Sequence, residues 1–362
     1  MKKIPFVKYT MHGNNFVIVD ETLKPVLSES EKSGFAYQAT DIYYGVGADG
    51  LLVIQPCKPH ILKKINETYH YWDNLPQASE SEYILRLFES NSKEAFSCGN
   101  GLLCISDYLY RRYRVKSARI MTEIPTSTPK VLTVGTDLEK KMNWANMGYP
   151  RRIPSGMANF PVTVLHDCVE FVKNIKIDFS GNGLSESEKK TSLELSGYLV
   201  FTGEPHLVVF TDTGLIPDKL ANCIFNSCCR TISENENIKN DISSRLIHQI
   251  GMSLNKRHTK SFPEGININF TRIPDESEVL EYRCFERGVD RETWACGTGA
   301  VAVSFVAKRL NMVAGNKITI RPYISRLRNE DAQLHVVKSE NDYILYGKPS
   351  LLFDGNFFVE KG

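Results

Sequence analysis

The chain has 362 residues, of which 42% are hydrophobic and 24% charged. That length suits two or three domains, and the composition excludes wholesale disorder. A formal net charge of +2 gives nucleic acid no electrostatic handle, so no nucleic-acid partner is expected.

The opening Met1-Lys2-Lys3-Ile4-Pro5 leads into no apolar run and does not read as a secretory signal. No stretch is apolar for long enough to span a bilayer, so no membrane association is expected and the cytoplasm is the expected location. Phe16-Val17-Ile18-Val19 and Leu51-Leu52-Val53-Ile54 are apolar runs of strand length. The polar stretch 57–82 reads as an insertion. Cys98-Gly99-Asn100-Gly101 then opens a helix in which Leu102, Leu103, Ile105, Ser106, Leu109 and Tyr110 recur at helical spacing. Arg111 and Arg112 suit its last turn, where carbonyls are unpaired.

The same order returns. Leu207-Val208-Val209-Phe210 and Ile266-Asn267-Ile268-Asn269-Phe270 read as strands, with a polar insertion at 214–258 that can carry a helix from Ile242 to Ile250. Cys296-Gly297-Thr298-Gly299 opens the second helix, with Val301, Val303, Ser304, Phe305 and Ala307 on its pattern and Lys308 and Arg309 near its end. Phe88-Glu89 precedes the first Cys and Phe285-Glu286 the second. The two C-G-x-G copies are too far apart for a solenoid, so they predict two similar halves, each offering one cysteine. Strands outnumber long helices, which predicts an α+β fold.

The nine cysteines are odd in number and irregular in spacing, against a disulfide framework. No C-x-x-C pair exists, Cys228 and Cys229 are adjacent, and His206 and His248 are not at paired ligand spacing, so no metal is expected. Most of these thiols read as small buried apolar groups. Cys98 and Cys296 do not. A glycine turn into a helix exposes N–H groups that seat an anion, and a thiol placed there has a lowered pKa. Two such turns can hold one carboxylate and put a thiol on each face of the carbon beside it. One thiolate removes the α-proton and the opposite thiol returns a proton to the other face. No G-x-G-x-x-G follows a strand, so no dinucleotide is indicated. Two opposed thiols make pyridoxal unnecessary, and no cofactor is expected.

At this point the chain resembles the diaminopimelate epimerase family. The resemblance lies in Met11-His12-Gly13-Asn14-Asn15-Phe16-Val17-Ile18-Val19-Asp20, Gly45-Val46-Gly47-Ala48-Asp49-Gly50, Cys98-Gly99-Asn100-Gly101, Asn146-Met147-Gly148, Gly203-Glu204-Pro205-His206, Phe262-Pro263-Glu264-Gly265-Ile266-Asn267, Glu286-Arg287-Gly288 and Ala295-Cys296-Gly297-Thr298-Gly299. These segments run from end to end of the chain in the family's order. The resemblance implies two pseudo-symmetric α+β domains with the active site in the cleft between them. One would be 1–135 plus 347–362, with a final strand near Leu351 to Val359 returning to it, and the other 136–346. It also implies a two-base mechanism free of metal and pyridoxal.

Position by position, the resemblance makes Cys98 and Cys296 the acid/base pair. Gly99, Asn100, Gly297 and Thr298 then hold the reacting carboxylate through backbone N–H groups, and Glu286 contacts the reacting amino group. Asn14, Asn267 and Arg287 hold the far end of the substrate, and His206 is structural. Three departures stand out. Glu204 replaces the Asn of G-N-P-H, Glu89 replaces the Asn before the first Cys, and His12-Gly13-Asn14-Asn15 is two residues shorter than H-G-L-G-N-D. An ionised Glu cannot donate to a carboxylate as an amide does. The substrate's distal group is then more cationic than a zwitterion, or a Glu simply pairs with Arg287 and diaminopimelate still binds. The leading expectation is a diaminopimelate epimerase acting on a small amino acid. A racemase of another, basic amino acid is the alternative in the same chemistry, and a non-catalytic or thiol-redox relative is the alternative of another class. The oligomeric state is left open, a homodimer included.

Overall fold

The computed structural model describes residues 1–166, 168–178, 192–225 and 242–359. They fall into two compact units, Met1–Gly148 with Asp342–Gly362, and Tyr149–Asn341. The fold is α+β, as expected.

Unit one begins with β1 (Lys2–Met11) and β2 (Asn14–Asp20), an antiparallel pair. Helix α1 (Glu29–Thr40) follows, and β3 (Gly50–Pro56) then lies parallel to β2. Beyond α2 (Pro59–Tyr69), β4 (Tyr83–Glu89) runs antiparallel to β3 and turns back into the two-residue β5 (Glu94–Ala95). The chain then enters α3 (Gly99–Tyr113) and emerges in β6 (Ser117–Thr122), parallel to β4. Strands β7 (Lys130–Asp137) and β8 (Met142–Asn146) continue the meander. The middle strand β3 is apolar and almost wholly buried because helices and neighbours cover both of its faces. The 57–82 stretch is no loose loop. Ile61, Leu62, Ile65 and Trp72 pack on Ile84, Met121 and Ile124 as a small core of their own.

Unit two repeats this order with β9 (Val162–His166) and β10 (Val169–Asp178) added before it. Strand β11 (Ser192–Phe201) is antiparallel to β12 (Pro205–Phe210), and β12 is parallel to β13 (Asn267–Arg272). Strand β14 (Val279–Glu286) is antiparallel to β13 and turns into β15 (Arg291–Thr293). Helix α6 (Gly297–Arg309) comes next, then β16 (Lys317–Pro322) parallel to β14, and β17 (Leu334–Lys338). Between β12 and β13 lie α4 (Asp218–Ile224), α5 (Ile242–Met252) and a π-helical turn at Ser253–Arg257. The helix expected from Ile242 to Ile250 is therefore present. The rest of that insertion at 226–241, with Cys228 and Cys229, lies outside the described residues.

The last strands, β18 (Tyr343–Gly347) and β19 (Ser350–Val359), belong to unit one. Strand β18 pairs with β8, and β19 runs antiparallel to β1 from Lys2 opposite Val359 to Thr10 opposite Ser350. The return of the final strand is thus as the resemblance implies.

Candidate active site

In unit one the turn from β5 places Cys98 at the N-cap of α3. Its Sγ accepts the Gly101 N–H at 3.2 Å, the bond a capping Ser or Asp oxygen ordinarily accepts. A Cβ on Gly101 would lie 3.0 Å from Leu52 Cδ2 and 3.3 Å from Cys98 Cβ, so glycine lets the helix start close against the thiol and β3. Asn100 ties the turn to β2. Its Nδ2 donates to Asn14 Oδ1 at 3.0 Å, and Asn14 Nδ2 donates to Asp49 Oδ2 at 2.9 Å. The same Asp49 oxygen accepts the Asn15 backbone N–H at 2.7 Å. Asn14 and Asn100 are buried, so part of Asn14's bonding capacity is spent on ordering this turn. Asp49 was not among the expected site residues. Its place in the G-V-G-A-D-G segment was the available signal. Glu89 ends β4 opposite Gly50 and accepts from Asn91 Nδ2 at 3.3 Å.

In unit two Cys296 is the N-cap of α6, and its Sγ accepts the Gly299 N–H at 3.3 Å. The Thr298 hydroxyl lies 3.4 Å from the same sulfur. A Cβ on Gly299 would stand 2.4 Å from Asn269 Oδ1, an approach no side chain tolerates. The two turns share their local backbone as well. Cys98 has φ −145° and ψ 109°, and Cys296 φ −128° and ψ 114°. Gly99, Asn100, Gly297 and Thr298 accordingly occupy the first turns of α3 and α6, where backbone N–H groups lack intrahelical partners.

Strand β14 turns Tyr282, Cys284 and Glu286 to one side, because alternate residues of a strand share a face. Tyr282 Oη accepts the Cys296 N–H at 2.7 Å and donates to the Cys296 carbonyl at 2.8 Å, fixing the turn. Cys284 and Glu286 reach the thiol itself: Cys284 Sγ, a Glu286 carboxylate oxygen and Cys296 Sγ lie within 4.8 Å of one another. The Cys284 thiol, as a hydrogen-bond donor, holds Cys296 below the usual thiol range. Burial acts the other way, and Thr298 and the Gly299 N–H add to the lowering. Cys284 is pushed well up, first by burial and then by Cys296. Of the two thiols, Cys296 therefore gives up its proton more readily and Cys284 keeps it. The sequence sets Cys284-Phe285-Glu286 beside Leu87-Phe88-Glu89 but gives Cys284 no role, because one cysteine in an apolar strand carries no pattern of its own.

The remaining expected residues of unit two also meet. Arg287 Nε donates to Glu204 Oε2 at 2.8 Å and Nη2 donates to the same oxygen, while the Arg287 N–H donates to Asn267 Oδ1 at 2.9 Å. One of the two departing glutamates thus pairs with Arg287. Glu286 accepts from the Thr293 hydroxyl. His206 is fully buried with Nδ1 2.9 Å from Asn269 Nδ2, and burial, with Arg287 acting the same way, pulls its imidazole down to about 3. The imidazole is therefore neutral and enclosed.

These features can be set beside known proteins. Over 362 residues the chain is 25% identical to a diaminopimelate epimerase of Archaeoglobus fulgidus, covering 98% of this chain and 96% of the relative. The resemblance to diaminopimelate epimerases holds along the whole chain. A diaminopimelate epimerase of Methanothrix thermoacetophila is 28% identical over 86% of this chain and 84% of its own length. A hydroxyproline epimerase from Agrobacterium vitis, solved with bound trans-4-hydroxy-L-proline, has the same fold: TM-score 0.58 at 12% identity, over 98% of this chain and 92% of that one. No family model matches the chain. All three relatives are named epimerases, a class of isomerase. Among the described residues no helix is long and apolar enough to cross a membrane.

Proposed function

We propose that the protein is an amino-acid epimerase that works with two cysteine bases and no cofactor, with diaminopimelate as its substrate. One observation carries this reading: each unit presents a cysteine sulfur at the N-terminus of a helix, in the same turn and with the same backbone bond. A lone thiol of this kind suits many chemistries. A matched pair suits a carbon that must be approached from both faces.

The α-proton of an amino acid is weakly acidic, and its removal piles charge onto the carboxylate. N–H groups at the starts of α3 and α6 are preorganised to receive that charge. Gly99, Asn100, Gly297 and Thr298 supply them in this reading. Cys296, held below the usual thiol range, takes the proton as thiolate in one direction, and Cys98 as thiol delivers a proton to the opposite face. The reverse reaction exchanges the roles. Glu286 meets the substrate's α-ammonium, and Asn14, Asn267 and Arg287 address its distal end. Glu204 supports diaminopimelate over a purely basic substrate, because its charge is offset by Arg287. Glu89 supports the second reading, a racemase of a basic amino acid, since a carboxylate there repels a distal carboxylate and attracts a cation.

Incubation in D₂O with diaminopimelate, lysine, ornithine, arginine, histidine, proline and hydroxyproline tests both readings. Deuterium should enter at Cα of diaminopimelate and far more slowly elsewhere. Exchange in none of them sinks the epimerase reading. In the Glu89→Asn plus Glu204→Asn variant, the ratio of kcat/KM for diaminopimelate over lysine should change by about tenfold or more, the scale of about 1.4 kcal/mol. A rise means that the acids oppose the distal carboxylate. A fall means that they hold the distal ammonium, and the basic-substrate reading is then dropped.

A further inference from the structure

Cys284, Glu286 and Cys296 form a group that racemisation does not require in full. A two-base reaction needs one sulfur on each side of the carbon, yet unit two brings a second thiol to Cys296. Unit one does not repeat it: Phe88 opposes Leu51 as Phe285 opposes Ile268, and on that register Leu87 stands where Cys284 stands. Both thiols are buried, at 1% and 4% exposure, and neither is in a disulfide. Their sulfurs and one carboxylate oxygen lie within 4.8 Å of one another. Ligands of one ion stand on the order of twice a bond length apart at most, and bonds to zinc are about 2.3 Å from sulfur and about 2.0–2.2 Å from a carboxylate oxygen.

We infer that Cys284, Glu286 and Cys296 are a three-donor site for a soft divalent cation of the zinc class. Two sulfurs and one oxygen make a donor set that zinc and cadmium favour over magnesium or calcium. Its framework is rigid. Cys284 and Glu286 are fixed by the pairing of β14, Cys296 by Tyr282 and the start of α6, and the Glu286 carboxylate by the Thr293 hydroxyl. A hydroxyl that orients a ligating carboxylate in this way is a common outer support of metal sites. On binding, each thiol releases its proton to solvent as its bond to the ion forms, and no electrons move. The spacing signals that argue against zinc in the sequence do not reach this trio, since its ligands come from one strand and from a helix start in its wake.

The site stands on the geometry of unit two alone. Its consequence for turnover, that the ion removes Cys296 from proton transfer, rests on the function proposed above. The full chain, reduced and stripped of metal, would be titrated with Co²⁺ and Cd²⁺ and followed by sulfur-to-metal charge-transfer absorption, with equilibrium dialysis for stoichiometry. One ion per chain with two thiolate ligands is expected. Cys284→Ser and Cys284→Val should each weaken binding at least tenfold, and Glu286→Gln should weaken it less. Cys98→Ala should leave it unchanged. Absent charge-transfer absorption, unchanged affinity in both Cys284 variants, or dependence on Cys98 would each overturn the site. The two Cys284 variants differ in shape and polarity, so a fold defect in one leaves the other decisive, and circular dichroism identifies it. Zn²⁺ should also stop Cα exchange in the wild-type protein. If one ion binds through Cys284 while exchange continues, the cation site stands and the role given to Cys296 falls.

Discussion

The two cysteine turns have one backbone and different surroundings. At the Cys98 turn Leu52 lies against Gly101, and on the register of the strands Leu85 and Leu87 of β4 stand where Tyr282 and Cys284 stand in β14. At the Cys296 turn Asn269 lies against Gly299. The two units share strand order and cap. At the second turn Cys284 donates to the Cys296 sulfur and Tyr282 holds the backbone, while at the first Asn100 donates to Asn14 and Asn14 to Asp49. The same pairing of likeness and difference runs deeper. Arg86 of β4 and Arg283 of β14 each bind an acid across their hairpins, Glu94 and Glu292.

The largest test treats the turns as equals. Cys98→Ala and Cys296→Ala should each reduce Cα exchange by at least about a hundredfold, since general acid–base catalysis contributes about 10²–10⁴-fold. Near-normal exchange in either variant would break the symmetry that the two-base reading requires.

Next comes the stability of the two hairpins. Arg86 is fully buried between Glu29 and Glu94, so Arg86→Leu leaves two carboxylates without their guanidinium. Arg283 has one acid, Glu292, and otherwise binds the Ile224 carbonyl, Ser243 and Ser244. Stripping a buried charge of its partner costs about 3–5 kcal/mol. Denaturant unfolding should place Arg283→Leu in that range and Arg86→Leu above Arg283→Leu. The reverse order would mean that neutral partners anchor Arg283 more firmly than two acids anchor Arg86.

His206 supplies a pH test. By register Phe16 is its counterpart in unit one, since Phe16 lies opposite Gly50 and His206 opposite Asn267. The folded imidazole titrates at about 3 against an ordinary 6.5. Between those values the unfolded chain binds a proton that the folded one refuses, so stability is full above about 6.5 and falls as the pH drops toward 3. His206→Phe should flatten that part of the stability curve. An unchanged slope would mean that other groups carry the acid sensitivity.

The smallest effect compares the glycines. Gly299→Ala must displace Asn269 and should cost about 1–3 kcal/mol by overpacking. Gly101→Ala meets only Leu52 and its own cysteine, and alanine's helix preference of about 1 kcal/mol offsets the crowding. Equal costs, read from thermal unfolding, would show that β13 yields as easily as β3.

Much of this was legible in the sequence because it is local. The C-G-x-G turns, the helices after them and the strands before them follow from glycine placement and periodicity. The tertiary partners were not legible. Arg86 has no partner readable from its own strand until α1 brings Glu29 to it. Asn269 reads as a strand residue until α6 begins against it. Glu204 carried two readings in sequence, as a new pocket charge or as a partner of Arg287, and its bonds to Arg287 are a fact of chain packing that spacing does not encode. Cys284 gains meaning only from Cys296, which the start of α6 brings to it.

The pairing of β19 with β1 has a consequence for how the chain is made. Lys2 finds its neighbour in Val359, so β1 cannot complete its pairing until β19 has been made. All of Tyr149–Asn341 emerges in between and can pair its own strands first, whereas unit one stays two strands short until β18 and β19 are made. Contacts so distant in sequence form slowly, and an open strand edge invites the wrong neighbour. The early half of the molecule is therefore the part most exposed to misassembly during translation.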